Sequence, residues 1–234
     1  MLKRKISLVL VSAALLCACG QPGVKKAHYK KSDTVYYLAP AQLALEQFPP
    51  PPLPGSNADK ADIAAIRDWQ QKRTQAECVR AGAAPDAYYS DFFGSVSPFP
   101  TPLPADAADF FNRVRADTDT AASVIKKRYQ RPRPFRRDEG LTTCIDKAGG
   151  YSYPSGHAAI SRMFALILSS LLPGRRAQFL ARADEAALDR VISGVHHPSD
   201  IEAGKRLSDS LYAQLSGVPS FRRDIDALRR YLSH

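Results

Sequence analysis

Apolar residues recur along most of the chain at intervals of three or four, which is the spacing of an amphipathic helix. The segment 158–172 is almost continuously apolar and predicts a central buried helix. Runs of alternating β-branched residues, which would predict strands, are absent, and the sequence contains no internal repeat. We therefore predict an all-α fold with one compact helical domain.

The same spacing, interrupted by prolines and glycines, predicts the remaining helices. In chain order they cover residues 59–81, 87–93, 105–128, 177–194, 201–215 and 221–232. Four prolines within 97–104 predict a loop ahead of the longest of these helices.

The first residues predict a targeting segment. Lys3, Arg4 and Lys5 precede an apolar stretch at 6–17, as in a signal peptide. The tetrapeptide Leu-Cys-Ala-Cys at 16–19 resembles a bacterial lipobox, with Cys19 as the lipidated residue; a plain secretion signal is the alternative. Both interpretations predict an exported, periplasmic protein, attached to the outer membrane if Cys19 carries lipid.

The chain divides into three predicted parts. Residues 1–18 are the signal peptide, 19–56 a tether and proline-rich strap, and 57–234 the helical domain. Four consecutive prolines at 49–52 predict extended polyproline, for which a structural strap is favoured over an SH3-type ligand. No run is long and apolar enough to span a bilayer, so membrane contact is expected only through a lipid at Cys19.

Two further cysteines, Cys78 and Cys144, remain in the exported part. An even pair in an oxidising compartment predicts one disulfide, with two buried free thiols as the alternative. Neither cysteine has a second Cys or His at the spacing of a zinc site, so a metal is not expected there.

The formal net charge is +10, which favours an anionic partner such as phosphate, nucleic acid or a membrane surface. Seven cations lie between Lys126 and Arg137. Alone, this block would be interpreted as a solvated basic face or a nucleic-acid patch. Prolines on both sides of Arg133 fix the backbone from which its guanidinium projects, and this favours a more rigid site.

A second cluster, Pro-Ser-Gly-His at 154–157, directly precedes the central helix. Ser155 is a natural N-cap, Gly156 permits close backbone approach, and His157 falls in the first turn. Amides at such a helix start bind anions. A capped helix with a surface histidine is the alternative.

A third cluster contains Arg190, His196 and Asp200. A carboxylate four residues after a histidine can orient the imidazole through one ring nitrogen and leave the other free to attack. The alternative is a structural His–Asp contact at a helix junction.

Together the clusters resemble the phosphatidate-phosphatase-2 (PAP2) superfamily, and within it the bacterial class A non-specific acid phosphatases. The resemblance rests on Lys126 followed by six residues and Arg133-Pro134, on residues 154–157, and on Arg190 with His196 and Asp200. Those phosphatases are exported helical proteins with a short proline run ahead of the domain.

Two positions depart from the family pattern. Asp189 stands where the family has serine, so this acid is expected either to weaken the Arg190 contact or to point outward. His197-Pro198 replaces a bulkier pair, which bears on the range of substrates more than on the reaction.

The resemblance implies an acid phosphatase that hydrolyses phosphate monoesters through a phosphohistidine. His196 would be the nucleophile, Asp200 its orienting partner and His157 the general acid. The phosphate would be bound by Lys126, Arg133, Ser155, Gly156 and Arg190. No metal or other cofactor is implied, and vanadate is expected to bind as an inhibitor.

Three alternatives remain open. A vanadium-dependent haloperoxidase and a lipid phosphate or diphosphate phosphatase belong to the same superfamily. A non-catalytic anion- or nucleic-acid-binding protein would use the basic block alone, but it would leave His157, His196 and Asp200 without a role. We expect small phosphate esters as substrates, no nucleic-acid partner, and the homo-oligomers that the family likeness implies.

Overall fold

The computed structural model describes residues 35–43 and 45–233, and across them it contains helices, turns and loops but no strand. The predicted all-α fold is therefore confirmed. The predicted signal peptide, Cys19 and the tether at 20–34 lie outside the described residues.

The α-helices mostly follow one another with short connections, and the two longest segments between them are 94–104 and 138–155. They are α1 (Asn57–Lys72), α2 (Gln75–Gly82), α3 (Tyr89–Phe93), α4 (Ala105–Tyr129), α5 (Pro134–Arg137), α6 (Gly156–Leu171), α7 (Arg176–Ile192), α8 (Pro198–Leu215) and α9 (Pro219–Leu232). Short 3-10 turns lie at Pro40–Gln42, Leu45–Gln47, Gly94–Val96 and Pro173–Arg175.

Helix α6 is the buried central helix that the apolar run predicts. It packs mainly against α7 and α8, and also against α4. Met163, Phe164 and Leu168 are fully buried in the main hydrophobic cluster. Each such side chain contributes roughly 1.5–3 kcal/mol through burial. This packing fixes the start of α6, where the Ser155 cluster lies.

The predicted helix at 59–81 is wrong in one respect, because the structure divides it into α1 and α2. Arg73 is extended, and Thr74 begins a new helix as its N-cap. The Thr74 hydroxyl accepts from the amide of Glu77, and the Glu77 carboxylate accepts from the amide of Thr74. This reciprocal capping satisfies two backbone N–H groups at the start of α2. The Thr-x-x-Glu pattern marks this helix start in the sequence.

Helix α8 approaches the start of α6 very closely at Gly204. A Cβ at this position would lie 2.5 Å from the carbonyl oxygen of Ser155 and 3.1 Å from the Cβ of Ala158. The amide of Ser155 also donates to the carbonyl of Asp200 at 2.9 Å. Because Gly204 has no side chain, α8 can lie against the start of α6, and the second and third sequence clusters become neighbours.

Part of the predicted strap packs against the helical body. Leu43, Leu45 and Phe48, ahead of the predicted domain start at residue 57, are buried in the main cluster. The hydroxyl of Tyr153 donates to the carbonyl of Pro49 at 2.8 Å. In residues 35–43 and 45–233, none of the helices is both long and apolar enough to cross a membrane.

The predicted disulfide is confirmed. Cys78 and Cys144 are bonded with an S–S distance of 2.07 Å and a Cα–Cα distance of 5.7 Å. The bond joins α2 to the loop between α5 and α6, across 66 residues of sequence.

Candidate active site

The third cluster folds into a tight turn between α7 and α8. Gly194 has φ 78°, and a Cβ there would lie 2.7 Å from the carbonyl oxygen of Thr142. Only glycine fits both constraints. The turn places His196 so that its Nδ1 lies 3.3 Å from Oδ2 of Asp200. Both side chains are buried.

The contacts of His196 define its tautomer. Nη1 of Arg133 lies 3.1 Å from Nε2 of His196, and a guanidinium can only donate. Nε2 therefore accepts, and the proton lies on Nδ1, facing Asp200. Burial, followed by the nearby Arg133 and Lys126, holds the pKa of His196 well below its usual value despite the opposing effect of Asp200. A neutral imidazole thus presents its Nε2 lone pair to the cations.

Arg133 is buried and fixed at the start of α5 by its flanking prolines. Its Nε and Nη2 donate to the carbonyl of Gly149 at 3.0 and 2.8 Å, and Nη1 donates to the carbonyl of Val195 at 2.9 Å. Burial lowers its pKa to about 10, because the nearby groups compensate its charge only in part.

Arg190 lies in the last turn of α7, with 6% of the residue exposed. Its Nε is buried and has no hydrogen-bond partner within the described part of the chain. Nη1 makes only a long contact of 3.4 Å with the carbonyl of Ala81. Burial, then repulsion from Arg133, lowers its pKa to about 10. An anion between the two guanidiniums would satisfy both, since buried charges need a partner.

Lys126, in the last turn of α4, reaches the loop that leads into α6. Its Nζ donates to the carbonyls of Tyr151 at 3.0 Å and Ser152 at 3.3 Å, and also to that of Pro154. Lys126 therefore both adds positive charge near His196 and holds the loop that precedes the Ser155 cluster.

Ser155 caps α6 as predicted, its hydroxyl accepting from the amide of Ala158 at 3.3 Å. Gly156 is the first residue of the helix, and His157 follows it. Nε2 of His157 lies 2.7 Å from the carbonyl oxygen of Ala84, so this nitrogen carries the proton in the neutral ring. Burial, followed by Arg190, holds the pKa of His157 well below its usual value.

Arg131 is a buried residue of the site that the motif analysis did not single out. Its Nη1 donates to Oδ1 of Asp200 at 2.7 Å, and its Nη2 contacts Asp62 at 2.8 Å and Asp59 at 3.3 Å. Arg137 makes a two-pronged contact with the same Asp59, at 2.7 Å through each nitrogen. Arg131 thus fixes the carboxylate of Asp200 and connects it to the acidic side chains of α1.

His197 is fully buried and binds the same carboxylate as His196. Its amide and Nδ1 lie 2.8 and 3.0 Å from Oδ2 of Asp200, and its Nε2 lies 3.2 Å from Arg137. The hydroxyl of Ser152 donates to this oxygen as well. Burial alone would raise the pKa of Asp200, but hydrogen bonds from His196 and His197 hold it well below its usual range.

The alternative in which Asp189 points outward is wrong. It is buried rather than outward-facing, and it accepts from Nε and Nη2 of Arg80 at 3.0 and 2.8 Å. Asp189 thus forms an ion pair with Arg80 on α2, and its charge also acts to raise the pKa of Arg190 against the larger effect of burial. The sequence offers no local signal for this pairing, because 109 positions separate the two residues.

The structure thus brings the three clusters to one place. The charges of Arg190, Arg133 and Lys126 all help to lower the pKa of His157. Those of Arg133 and Lys126 help to lower the pKa of His196. Among the residues described, no three His, Cys, Asp or Glu side chains converge as a metal site would require. The arrangement can bind a tetrahedral oxyanion between cations and place it against a neutral imidazole.

Two solved structures share this fold. The PAP2-type transmembrane phosphatidylglycerolphosphate phosphatase of Bacillus subtilis gives a TM-score of 0.51 at 20% identity, over 70% of this chain and 87% of that one. A bacterial vanadium-dependent iodoperoxidase gives a TM-score of 0.58 at 18% identity, over 77% of this chain and 53% of that one.

Sequence similarity is more specific than the shared fold. Residues 116–208, which contain all three clusters, match the PAP2 superfamily. A non-specific acid phosphatase of Providencia stuartii is 31% identical over 210 residues, covering 82% of this chain and 82% of that protein. With the three clusters converging on one buried site, the chain belongs to the PAP2 superfamily and, within it, to the family of the non-specific acid phosphatases.

Proposed function

We propose that this protein is an acid phosphatase that hydrolyses phosphate monoesters through a phosphohistidine on His196. Similarity to the non-specific acid phosphatases supports the phosphatase activity. One observation supports the covalent route: the neutral Nε2 of His196 faces the buried guanidinium of Arg133, with the partnerless Nε of Arg190 near by.

Arg133 and Arg190 bind the phosphate, with help from Lys126, the Ser155 hydroxyl and the amide of Gly156 at the positive end of α6. The cations neutralise the charge that the phosphoryl group carries during transfer. Binding also supplies negative charge beside His157, whose pKa is low mainly through burial and then through these cations. His157 therefore gains affinity for a proton when the substrate is bound.

In the first step Nε2 of His196 attacks phosphorus, so an N–P bond forms and the ester P–O bond breaks. The electron pair of that bond goes to the leaving oxygen, which takes the proton from His157. Asp200 accepts from Nδ1 of His196 and stabilises the positive charge that develops on the ring.

In the second step His157 accepts a proton from water, and the water oxygen attacks phosphorus. The N–P bond breaks, its electron pair returns to Nε2 of His196, and inorganic phosphate leaves. Three protein cations perform the charge neutralisation in both steps, so we expect turnover without a divalent metal.

Hydrolysis of p-nitrophenyl phosphate by the purified protein tests the proposal, with chelator and with added Mg²⁺ or Zn²⁺. We expect activity that survives the chelator and is inhibited competitively by vanadate, which mimics pentacoordinate phosphorus. Loss of activity in chelator and its recovery with metal would contradict the metal-independent mechanism. Absence of hydrolysis under all conditions would contradict the phosphatase itself.

The fold shared with a vanadium-dependent iodoperoxidase makes halide oxidation the second candidate. A peroxide assay with bromide or iodide, run with vanadate, tests it on the same preparation. A lipid phosphate substrate is the third candidate, and a phosphatidate-containing micelle assay distinguishes it from small esters.

Export to the periplasm, lipid at Cys19 and self-association belong to the same proposal. Mass spectrometry of the mature N-terminus checks the first two, and light scattering of the purified protein checks the third.

A further inference from the structure

A cavity of about 700 Å³ lies between the end of α2 and residues 144–148 of the loop between α5 and α6. Arg190, a proposed phosphate ligand, is part of its lining, and so is the Cys78–Cys144 disulfide that joins the two walls. The volume is within the range of small-molecule sites. The cavity therefore begins where the phosphate would be bound.

The end of α2 and the segment that follows it contact two functional residues through their backbone. The carbonyl of Ala81 faces Nη1 of Arg190, and the carbonyl of Ala84 accepts from Nε2 of His157. The leaving oxygen must lie at Nδ1 of His157, because Nε2 is bound to Ala84 and His157 is to protonate that oxygen from its other nitrogen. Arg190 lies in the lining of the cavity, so the alcohol part of an ester whose phosphate is bound there can extend past Arg190 to Ala81, Gly82, Ala83 and Pro85.

The cavity walls are mainly apolar, and most of their side chains are small. They include Ala81, Gly82, Ala83, Pro85, Ile145 and Ala148. Charged side chains of the lining other than Arg190 are Asp146 and Lys147, and both are exposed to solvent. Sulfur of the disulfide is polarizable and contacts aromatic rings favourably.

We propose that this cavity binds the alcohol part of the substrate and favours a bulky apolar, in particular aromatic, group. The Cys78–Cys144 bond sets the distance between its walls and is a specificity element as well as a cross-link. This inference rests on the proposed phosphatase function.

The test compares 2-phenylethyl phosphate with ethyl phosphate. Both release a primary alcohol, so their leaving groups differ little in acidity and mainly in the aromatic ring. We expect kcat/KM to be at least about tenfold higher for the phenylethyl ester, since burial of a ring is worth more than one decade. The difference should lie mainly in KM.

Gly82→Leu places a side chain in the cavity at a residue that is not itself a phosphate ligand. A Cβ on Gly82 would lie 3.5 Å from Cγ2 of Ile145, so a longer side chain extends towards the opposite wall. We expect the preference for the phenylethyl ester to fall below about threefold, with inhibition by inorganic phosphate unchanged within about twofold. Gly174→Leu is the matched control, because Gly174 is exposed and a Cβ added there would have no neighbour within 4 Å.

The double variant Cys78→Ala, Cys144→Ala tests the disulfide. Its loop also carries Gly149, which holds Arg133, so phosphate binding can weaken in this variant. The ratio of kcat/KM for the two esters cancels that effect, and we expect the ratio to fall.

Equal kcat/KM for both esters in the wild type would overturn the inference and leave the phosphatase function standing. A preference that Gly82→Leu does not reduce would also overturn it. If neither ester nor p-nitrophenyl phosphate is hydrolysed, the proposed function fails and the inference fails with it.

Discussion

Nη1 of Arg133 lies 3.1 Å from Nε2 of His196, so the guanidinium proposed to hold phosphate donates to the nitrogen proposed to attack it. Phosphate oxygens that take over this donor would release the lone pair of Nε2. Arg133 keeps its place meanwhile through the carbonyl of Gly149. Substrate binding would thereby free the nucleophile.

Replacement of His196 by Ala should lower kcat by roughly 10³-fold or more, because the atom that forms the N–P bond is lost. No phosphoenzyme should be trapped by alkaline denaturation after incubation with a labelled ester. A covalent phosphoenzyme in His196→Ala would show that another residue is the nucleophile.

Replacement of His157 by Ala should slow alkyl phosphates by roughly 10²- to 10⁴-fold, since their leaving groups need a proton. An activated aryl ester needs little protonation and should still form the phosphoenzyme. That species should persist, because the activation of water is lost as well. Equal slowing of alkyl and activated aryl esters in steady-state assays would contradict the assignment.

Arg131→Ala should lower the free energy of unfolding by about 3–5 kcal/mol, because it leaves buried carboxylates without their shared cation. Denaturant unfolding of the variant checks this. Arg136→Ala is the control from the same basic block. Because the Arg136 side chain is exposed, this change should alter the free energy of unfolding by less than about 0.5 kcal/mol. Similar small effects for both variants would mean that solvent or neighbouring groups replace Arg131.

The double variant Cys78→Ser, Cys144→Ser should lower the free energy of unfolding by about 3–4 kcal/mol, mainly by releasing the unfolded chain from a cross-link. Alkylation of the wild type under non-reducing denaturing conditions should find neither cysteine free. Detection of two free thiols there would contradict the disulfide.

Acidification should destabilise the phosphate-free protein. His157 and His196 have a pKa well below 6.5 in the folded state, so below about pH 6.5 only the unfolded chain binds protons at these positions. Stability is therefore present above that pH and falls as pH decreases from about 7 towards 5. Thermal unfolding across this range measures it.

Bound phosphate should reduce the loss of stability at low pH, because an anion favours the protonated form of both histidines. The variant with His157→Gln and His196→Gln should show a flatter pH dependence than the wild type. A wild-type Tm that does not change between about pH 7 and 5 would contradict the prediction.

The sequence predicts the residues that stand at helix ends, because caps, prolines and glycines there have local causes. Ser155 at the start of α6 and Arg190 in the last turn of α7 are examples. It predicts the length of α4 almost correctly for the same reason.

The charge network behind Asp200 could not be predicted in this way. Arg131 joins Asp59, Asp62 and Asp200, at separations of 69 to 72 positions, and only the packing of α1 against α8 brings them together. Likewise, the helical spacing of apolar residues continues across Arg73, so it did not predict the break between α1 and α2. The capping residues Thr74 and Glu77 do mark that break. Pairings between distant elements need the fold, whereas local patterns do not.

The strap sets a lower limit on how far the enzyme can be shortened. The amides of Tyr36 and Tyr37 donate to the buried carboxylate of Asp117, and the hydroxyl of Tyr153 depends on the carbonyl of Pro49. A recombinant fragment cut at the first long helix would lose these partners and uncover apolar surface on α4. A chain trimmed by a protease keeps these contacts only when the cleavage lies ahead of Tyr36.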